Sequence, residues 1–326
     1  MRRLGKWLGR LLLLLIVAGG AVWVLGPREP VDRDISFDPD SLTPNLDRYL
    51  AEAEAEVANL NPDVLRRIVW AGSAGQSTPL SIVYLHGFSA TSEEIRPVPD
   101  RLAEALGANL HFVRYKGHGR NGAAMAEATA GDWLEETAEA LEIGRRIGDQ
   151  VIVIATSTGG TLAAIAATDP AMSAEVAGLI LVSPNFELVN PLARLLTWPF
   201  ARSWLPLLAG SERSFAPLND DHARYWTTRY PSEAVFPMAA LVRHARRLDY
   251  GGVTIPALFI FSDGDMVVKA KTTRTVIDRW GAPTQMETPK LTDADDPGAH
   301  VIMGDILSPG QTAPAVALMR DWVAGL

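Results

Sequence analysis

The chain has 326 residues, a length that suits one large α/β core with additions at its ends or in its loops. Its 30 Lys and Arg against 38 Asp and Glu give a net charge of −8, with no basic run beyond the first ten residues, which excludes a nucleic-acid partner. It contains no cysteine, so thiol catalysis, disulfides and thiolate metal sites are excluded as well.

Arg2, Arg3, Lys6 and Arg10 precede an unbroken apolar run from Leu11 to Leu25, closed by Gly26-Pro27. Fifteen helical residues reach ~23 Å, short of a ~30 Å hydrocarbon core, but Trp7 and Leu8 extend the run and Arg10 can send its guanidinium toward the headgroups. We read residues 1–27 as a single-pass anchor, with a cleaved secretory signal as the rival. Both place the basic end in the cytoplasm and send the rest across the membrane. Residues 28–66 read as a Pro- and Asp-rich spacer to about Pro44 and a helix over Tyr49–Leu60, with a thin stripe of Tyr49, Ala53, Val57 and Leu60.

From residue 67 to 326 short apolar runs alternate with helical patterns. Strands are expected at Leu80–Leu85, Leu110–Tyr115, Val151–Ala155, Leu179–Val182 and Ala257–Phe261, and helices at Glu93–Leu106, Asp132–Ile147, Thr158–Ala167 and Lys271–Trp280. Runs such as Val151-Ile152-Val153-Ile154, apolar at every position, predict strands covered on both faces, and helical connections predict a mostly parallel sheet. The fold class is α/β. Between about 186 and 250 six prolines break the alternation, and we read an inserted cap. Its Leu195, Leu196, Trp198, Phe200, Trp204, Leu205, Leu207 and Leu208 fit either internal packing or an apolar substrate pocket.

After the Val151 strand, Ala155-Thr156-Ser157-Thr158-Gly159-Gly160 leads into an Ala-rich helix, so a serine stands at a sharp strand-to-helix turn. This resembles the Gly-x-Ser-x-Gly nucleophile elbow of the α/β-hydrolase superfamily, with Ala155 in place of the first Gly. Alone, the motif also fits a Ser/Thr helix cap. Around it, His86-Gly87-Phe88 follows a strand where the superfamily places its oxyanion loop, and Gly117-His118-Gly119 is similar to a segment of carboxylesterases and monoacylglycerol lipase/lysophospholipase-like members. The resemblance implies Ser157 as nucleophile, backbone N–H groups of Phe88 and Thr158 as the oxyanion hole, and structural roles for His86 and His118.

It also implies an order of Ser, acid and His. Asp263 and Asp265 compete within Ser262-Asp263-Gly264-Asp265-Met266-Val267, and Asp265, directly before Met266-Val267, takes the triad slot. His300, in Asp296-Pro297-Gly298-Ala299-His300, is the base. The six histidines form no ligand pair at helical spacing, Asp293, Asp295 and Asp296 read as a solvated loop, and no phosphate or dinucleotide fingerprint follows a strand, so no metal or cofactor is expected. The resemblance implies a serine hydrolase of carboxylic esters acting through an acyl-enzyme on a small acyl ester or lipid. The alternatives are a peptidase of the same fold or a non-catalytic, membrane-tethered binding protein, to which Ala155 alone points.

Overall fold

The computed structural model describes residues 2–326; the side chains of residues 2–5, Arg2 and Arg3 among them, lie outside the described residues. Helix α1 spans Arg2–Leu25, longer than the Leu11–Leu25 run because the basic start is helical too. Its apolar part, Lys6–Leu25, has 20 residues and so rises about 30 Å, enough by length and composition for a span, although a signal sequence has the same character. Pro27 cannot continue the helix, and Gly26 N–H closes the last turn on Val22 O at 2.9 Å.

The stretch after α1 lies along the body of the molecule, tied by Ser36 and Phe37 N–H to the Glu135 carboxylate at 2.5 and 2.8 Å. Helix α2 (Leu46–Ala55) starts and ends before the expected Tyr49–Leu60. Asn45 caps it, its side chain accepting from Arg48 N–H at 3.0 Å, and the buried stripe is Leu46, Leu50 and Glu54 rather than the one expected.

The remaining elements are β1 (Arg67–Val69), β2 (Thr78–Leu85), α3 (Val98–Leu106), β3 (Asn109–Phe112), α4 (Ala130–Ile147), β4 (Gly148–Thr156), α5 (Thr158–Ala166), β5 (Val176–Val182), α6 (Ala201–Ala209), β6 (Glu212–Ser214), α7 (Asp220–Tyr225), β7 (Arg229–Pro231), α8 (Val235–Ala245), β8 (Ala257–Ile260), α9 (Ala270–Ile277), β9 (Thr284–Glu287) and α10 (Thr312–Val323). The seven-stranded sheet runs β1-β3-β2-β4-β5-β8-β9, parallel except for β1 against β3. This is the α/β-hydrolase fold. All five strands expected from apolar runs are present, and the helices expected after residue 67 keep their places within a few residues, although Glu93–Leu106 loses its first turn to the loop before Pro97.

Alternate strand residues feed two cores, as the period of two requires. Val83, Leu85, Val153, Ala155, Leu181 and Phe259 share one face, and Ile82, Tyr84, Ile152, Ile154, Ile180 and Ile260 share the other. Fully burying a Val, Leu or Ile side chain contributes about 1.5–3 kcal/mol, so these strands are the most strongly buried part of the molecule and the loops at their carboxyl ends start from it.

Between β5 and β8 the chain leaves the sheet for α6, the antiparallel pair β6 and β7 with α7 between them in the chain, and α8. Of the apolar residues in question, Leu196 and Leu205 are buried and Leu195 and Trp204 pack against the core. Trp198, Phe200, Leu207 and Leu208 are exposed, Trp198 with an edge against Trp204.

Candidate active site

Strand β4 ends at Thr156 and α5 begins at Thr158, which leaves Ser157 alone in the turn with φ +51° and ψ −112°. That conformation is costly for a residue with a Cβ, of order 1–3 kcal/mol, and persists only where the surroundings impose it. They do so here: Ser157 N–H donates to Val182 O at 2.9 Å and Ser157 O accepts from Asn185 N–H at 3.0 Å. Glycine follows for a steric reason, since a Cβ on Gly159 would stand 2.2 Å from Leu85 O. Ala155 is a fully buried strand residue paired with Leu85 and Leu181, and its methyl belongs to the core, so its departure from glycine leaves the turn intact.

The loops bring three of the expected side chains together. Ser157 Oγ lies 3.0 Å from His300 Nε2, and His300 Nδ1 lies 2.8 Å from Asp265 Oδ2. A carboxylate accepting from Nδ1–H leaves Nε2 unprotonated and facing the serine hydroxyl. Burial pushes the His300 imidazole down, but the hydrogen bond and charge of Asp265, with Glu94 and Asp296 behind it, outweigh burial and hold it above the ordinary 6.5.

The two aspartates of the acid turn separate cleanly. The Asp265 side chain is 1 % exposed, and its Oδ1 accepts from Val267 and Val268 N–H at 2.7 and 2.8 Å, which aims Oδ2 at the histidine. The Asp263 side chain is 67 % exposed and pairs with Arg274 at 2.7 Å.

The expected oxyanion donors lie on either side of the serine. The loop after β2 passes so close that a Cβ on Gly87 would stand 3.2 Å from Ser157 Cβ. Among the described residues neither Phe88 nor Thr158 N–H donates to another group, and Thr158 opens α5, where a helix end favours negative charge. The Phe88 ring packs edge-on against Trp133 and Tyr230, at 6.2 and 5.3 Å, so β7 of the insertion braces the loop. Thr227 N–H, also from the insertion, donates to Ser89 O at 2.7 Å.

His86 and His118 do not join the relay. His86 Nδ1 meets Gly87 O at 2.9 Å while its Nε2 accepts from Tyr115 N–H at 3.2 Å, and burial drives the ring well below its ordinary pKa. His118 is buried beside it, with Nδ1 3.2 Å from Lys116 O, and burial pushes it down to about 4.

Two groups of the site escape sequence reasoning. Glu94 is fully buried under the His86–Phe88 loop, where Gly87 N–H and Tyr84 O–H donate to its Oε2 at 2.7 and 3.0 Å, and burial pushes its carboxyl up to about 7. Asp296 is no solvated loop residue: it accepts from Gly298, His300 and Val301 N–H at 2.9 Å each and so shapes the turn that presents the histidine. The Asp296-Pro297-Gly298 spacing was the available signal, because Asp before Pro-Gly commonly bonds the backbone two residues on.

A family model described as "Serine aminopeptidase, S33" matches residues 76–291. The thermostable monoacylglycerol lipase of Bacillus sp. (strain H-257) is 24 % identical over 194 residues, which are 59 % of this chain and 73 % of the relative. A solved structure from a study of LipS and LipT, two metagenome-derived lipolytic enzymes, superimposes with a TM-score of 0.65 at 19 % identity, covering 81 % of this chain and 100 % of that one. The monoacylglycerol lipase of Paleococcus ferrophilus superimposes with a TM-score of 0.56 at 13 % identity, covering 80 % and 98 %. These two likenesses establish the fold.

Proposed function

Because the chain belongs to the "Serine aminopeptidase, S33" family of α/β hydrolases, we propose that it is a serine hydrolase of carboxylic esters. The observation that carries the reading is the relay from Asp265 through His300 to a serine held at positive φ. His300 Nε2 takes the Ser157 proton as Oγ attacks the acyl carbon, and Asp265 stabilises the imidazolium that forms. The oxyanion develops toward Phe88 and Thr158 N–H, each such donor being worth about 3 kcal/mol in the transition state. His300 then protonates the leaving alcohol, and water, deprotonated by the same imidazole, releases the acid from the acyl-enzyme.

The monoacylglycerol lipase relative favours a monoacyl lipid or similar ester over the peptide bond that the family description evokes. The helix Lys6–Leu25 and the basic residues before it support a single-pass anchor with the catalytic domain outside the cytoplasm; cleavage would instead give a secreted enzyme.

The test is labelling by a fluorophosphonate probe, with p-nitrophenyl ester and aminoacyl p-nitroanilide turnover compared in parallel. Wild type should label and prefer the ester, and Ser157→Ala should lose both labelling and turnover while melting cooperatively. Full ester turnover in Ser157→Ala, or no labelling of wild type, would refute the assignment.

A further inference from the structure

The exposed apolar side chains of the insertion form a strip that begins where α1 ends. Trp23 of α1 packs edge-on against Trp198 at 5.2 Å, and Trp198 against Trp204 at 6.5 Å. Leu207 and Leu208, three and four residues beyond Trp204 at the end of α6, are 83 and 79 % exposed. The junction is tight. Phe200 N–H donates to Pro27 O at 2.7 Å, Arg202 pairs with Glu29 at 2.6 Å, and a Cβ on Gly26 would stand 2.7 Å from Pro199 Cβ. The end of the apolar helix, Trp198 and Phe200 therefore form one continuous apolar surface, and α6 leads from it to the exposed Leu207 and Leu208.

Cations collect beside the same junction, in a chain whose net charge is −8. A cleft of about 240 Å³ is lined by Glu29, Val31, Arg243, His244 and Arg247. Glu29 is neutralised by Arg202, whereas Arg28 and Arg243 donate to backbone carbonyls, of Trp23 and Thr197, and no carboxylate pairs with them or with Arg247 among the described residues. Burial, and after it repulsion from Arg247, Arg28 and Arg246, lowers the Arg243 guanidinium. Arg28 also lies over the Trp23 ring at 5.4 Å, joining the charged and apolar parts.

We propose that this strip and cleft form a docking surface for a bilayer containing anionic phospholipid, with Trp198, Phe200, Leu207 and Leu208 in the headgroup–acyl boundary and the arginines on lipid phosphates. The proposal rests on the reading of α1 as an anchor. Apolar side chains flanked by Arg are the composition of interfacial helices, and the anchor supplies the proximity that makes a small patch sufficient. Water would leave this surface as costly exposed hydrocarbon; a bilayer covers it and answers its charge.

The chain has no cysteine, so single labels can be placed in the full-length protein. Leu207→Cys and Leu208→Cys, Ala18→Cys within α1 and Asp149→Cys at the far end of β4 would each carry an environment-sensitive fluorophore. The variants would be reconstituted into phosphatidylcholine–phosphatidylglycerol vesicles containing nitroxide-labelled lipid. Labels at 18, 207 and 208 should be quenched several-fold more than the label at 149, and Arg243→Gln with Arg247→Gln should weaken the effect at 207. Quenching at 18 alone would overturn the docking surface and leave the anchor standing. No quenching at 18 would overturn the anchor, and the proposal with it. Labels at 207 and 208 shielded from aqueous iodide without lipid quenching would mean that a second copy covers the strip, which also overturns it. Quenching at 207 and 208 that is unchanged in pure phosphatidylcholine would overturn the choice of anionic lipid.

Discussion

Asp265→Asn isolates the orienting carboxylate from everything else in the relay. Val267 and Val268 N–H both donate to Oδ1, and a flipped amide would face them with its own N–H groups, so the asparagine oxygen must stay on that side. Its –NH₂ then points at His300 Nδ1, which has to become an acceptor, and the ring proton moves to Nε2 against the Ser157 hydroxyl. A base holding its proton there cannot accept another. In a well-studied protease the same change lowers turnover by about 10⁴, or about 5.4 kcal/mol of transition-state stabilisation. Asp263→Asn breaks only an exposed pair with Arg274, worth ~0–1 kcal/mol of stability and nothing in the relay. The assay is kcat on a p-nitrophenyl ester for both variants, with melting temperature alongside. The acid limb of the wild-type pH profile should lie above 6.5, because His300 is raised and must be unprotonated to act. The raised pKa also implies stability that is full below the unfolded value and lost as pH rises through the folded one. Asp265→Asn within tenfold of wild type, or Asp263→Asn as the worse variant, would refute the reasoning.

Glu94→Gln should keep most activity, since one amide oxygen can accept from both Gly87 N–H and Tyr84 O–H, whereas Glu94→Ala should lose at least about tenfold in kcat, or ~1.4 kcal/mol, as Gly87 comes loose. Because Glu94 is raised to about 7 from 4.5, the wild type should lose stability as pH climbs through that window, by up to about 3 kcal/mol, and Glu94→Gln should flatten the loss in denaturation curves. A reporter fused after Leu326 should be active only if it works outside the cytoplasm, and a cytoplasm-only reporter becoming active would reverse the proposed topology.

The parts of the fold that were legible in the sequence are those whose pattern follows from burial on both sides. β4 and β5 are apolar at successive positions because helices cover each face, and a short run with no polar position is hard to place anywhere else in a folded chain. β1 and β9 sit at the two sheet edges, with only three and four residues each, and Arg67-Ile68-Val69 or Thr284-Gln285-Met286-Glu287 carries no comparable signal. Those segments are strands because β3 and β8 offer them an open edge, which is information held by the neighbour. Helix α2 shows the opposite failure, a weak stripe placed in the wrong register because the cap at Asn45 outweighed periodicity.

The site divides along the same line. Ser157, Asp265 and His300 could be picked out because each stands in a local motif in a recognisable order, but the groups that hold them in place depend on contacts between loops. Glu93 and Glu94 are neighbours in sequence, yet one pairs with Arg67 and Arg96 in a half-buried cluster while the other is fully buried against Gly87. Only the path of the turn from His86 to Pro97 decides which is which. The acid and histidine loops are likewise joined by Met266 N–H to Gly298 O at 2.9 Å, and Glu187 at the start of the insertion binds Lys269 at 2.8 Å just beyond the acid turn. The insertion therefore touches the Asp265 turn through Glu187, the Phe88–Ser89 loop through Thr227 and Tyr230, and the end of α1 through Phe200. The same insertion carries Leu207 on its outer face, so one segment of chain runs from that exposed strip to both sides of Ser157.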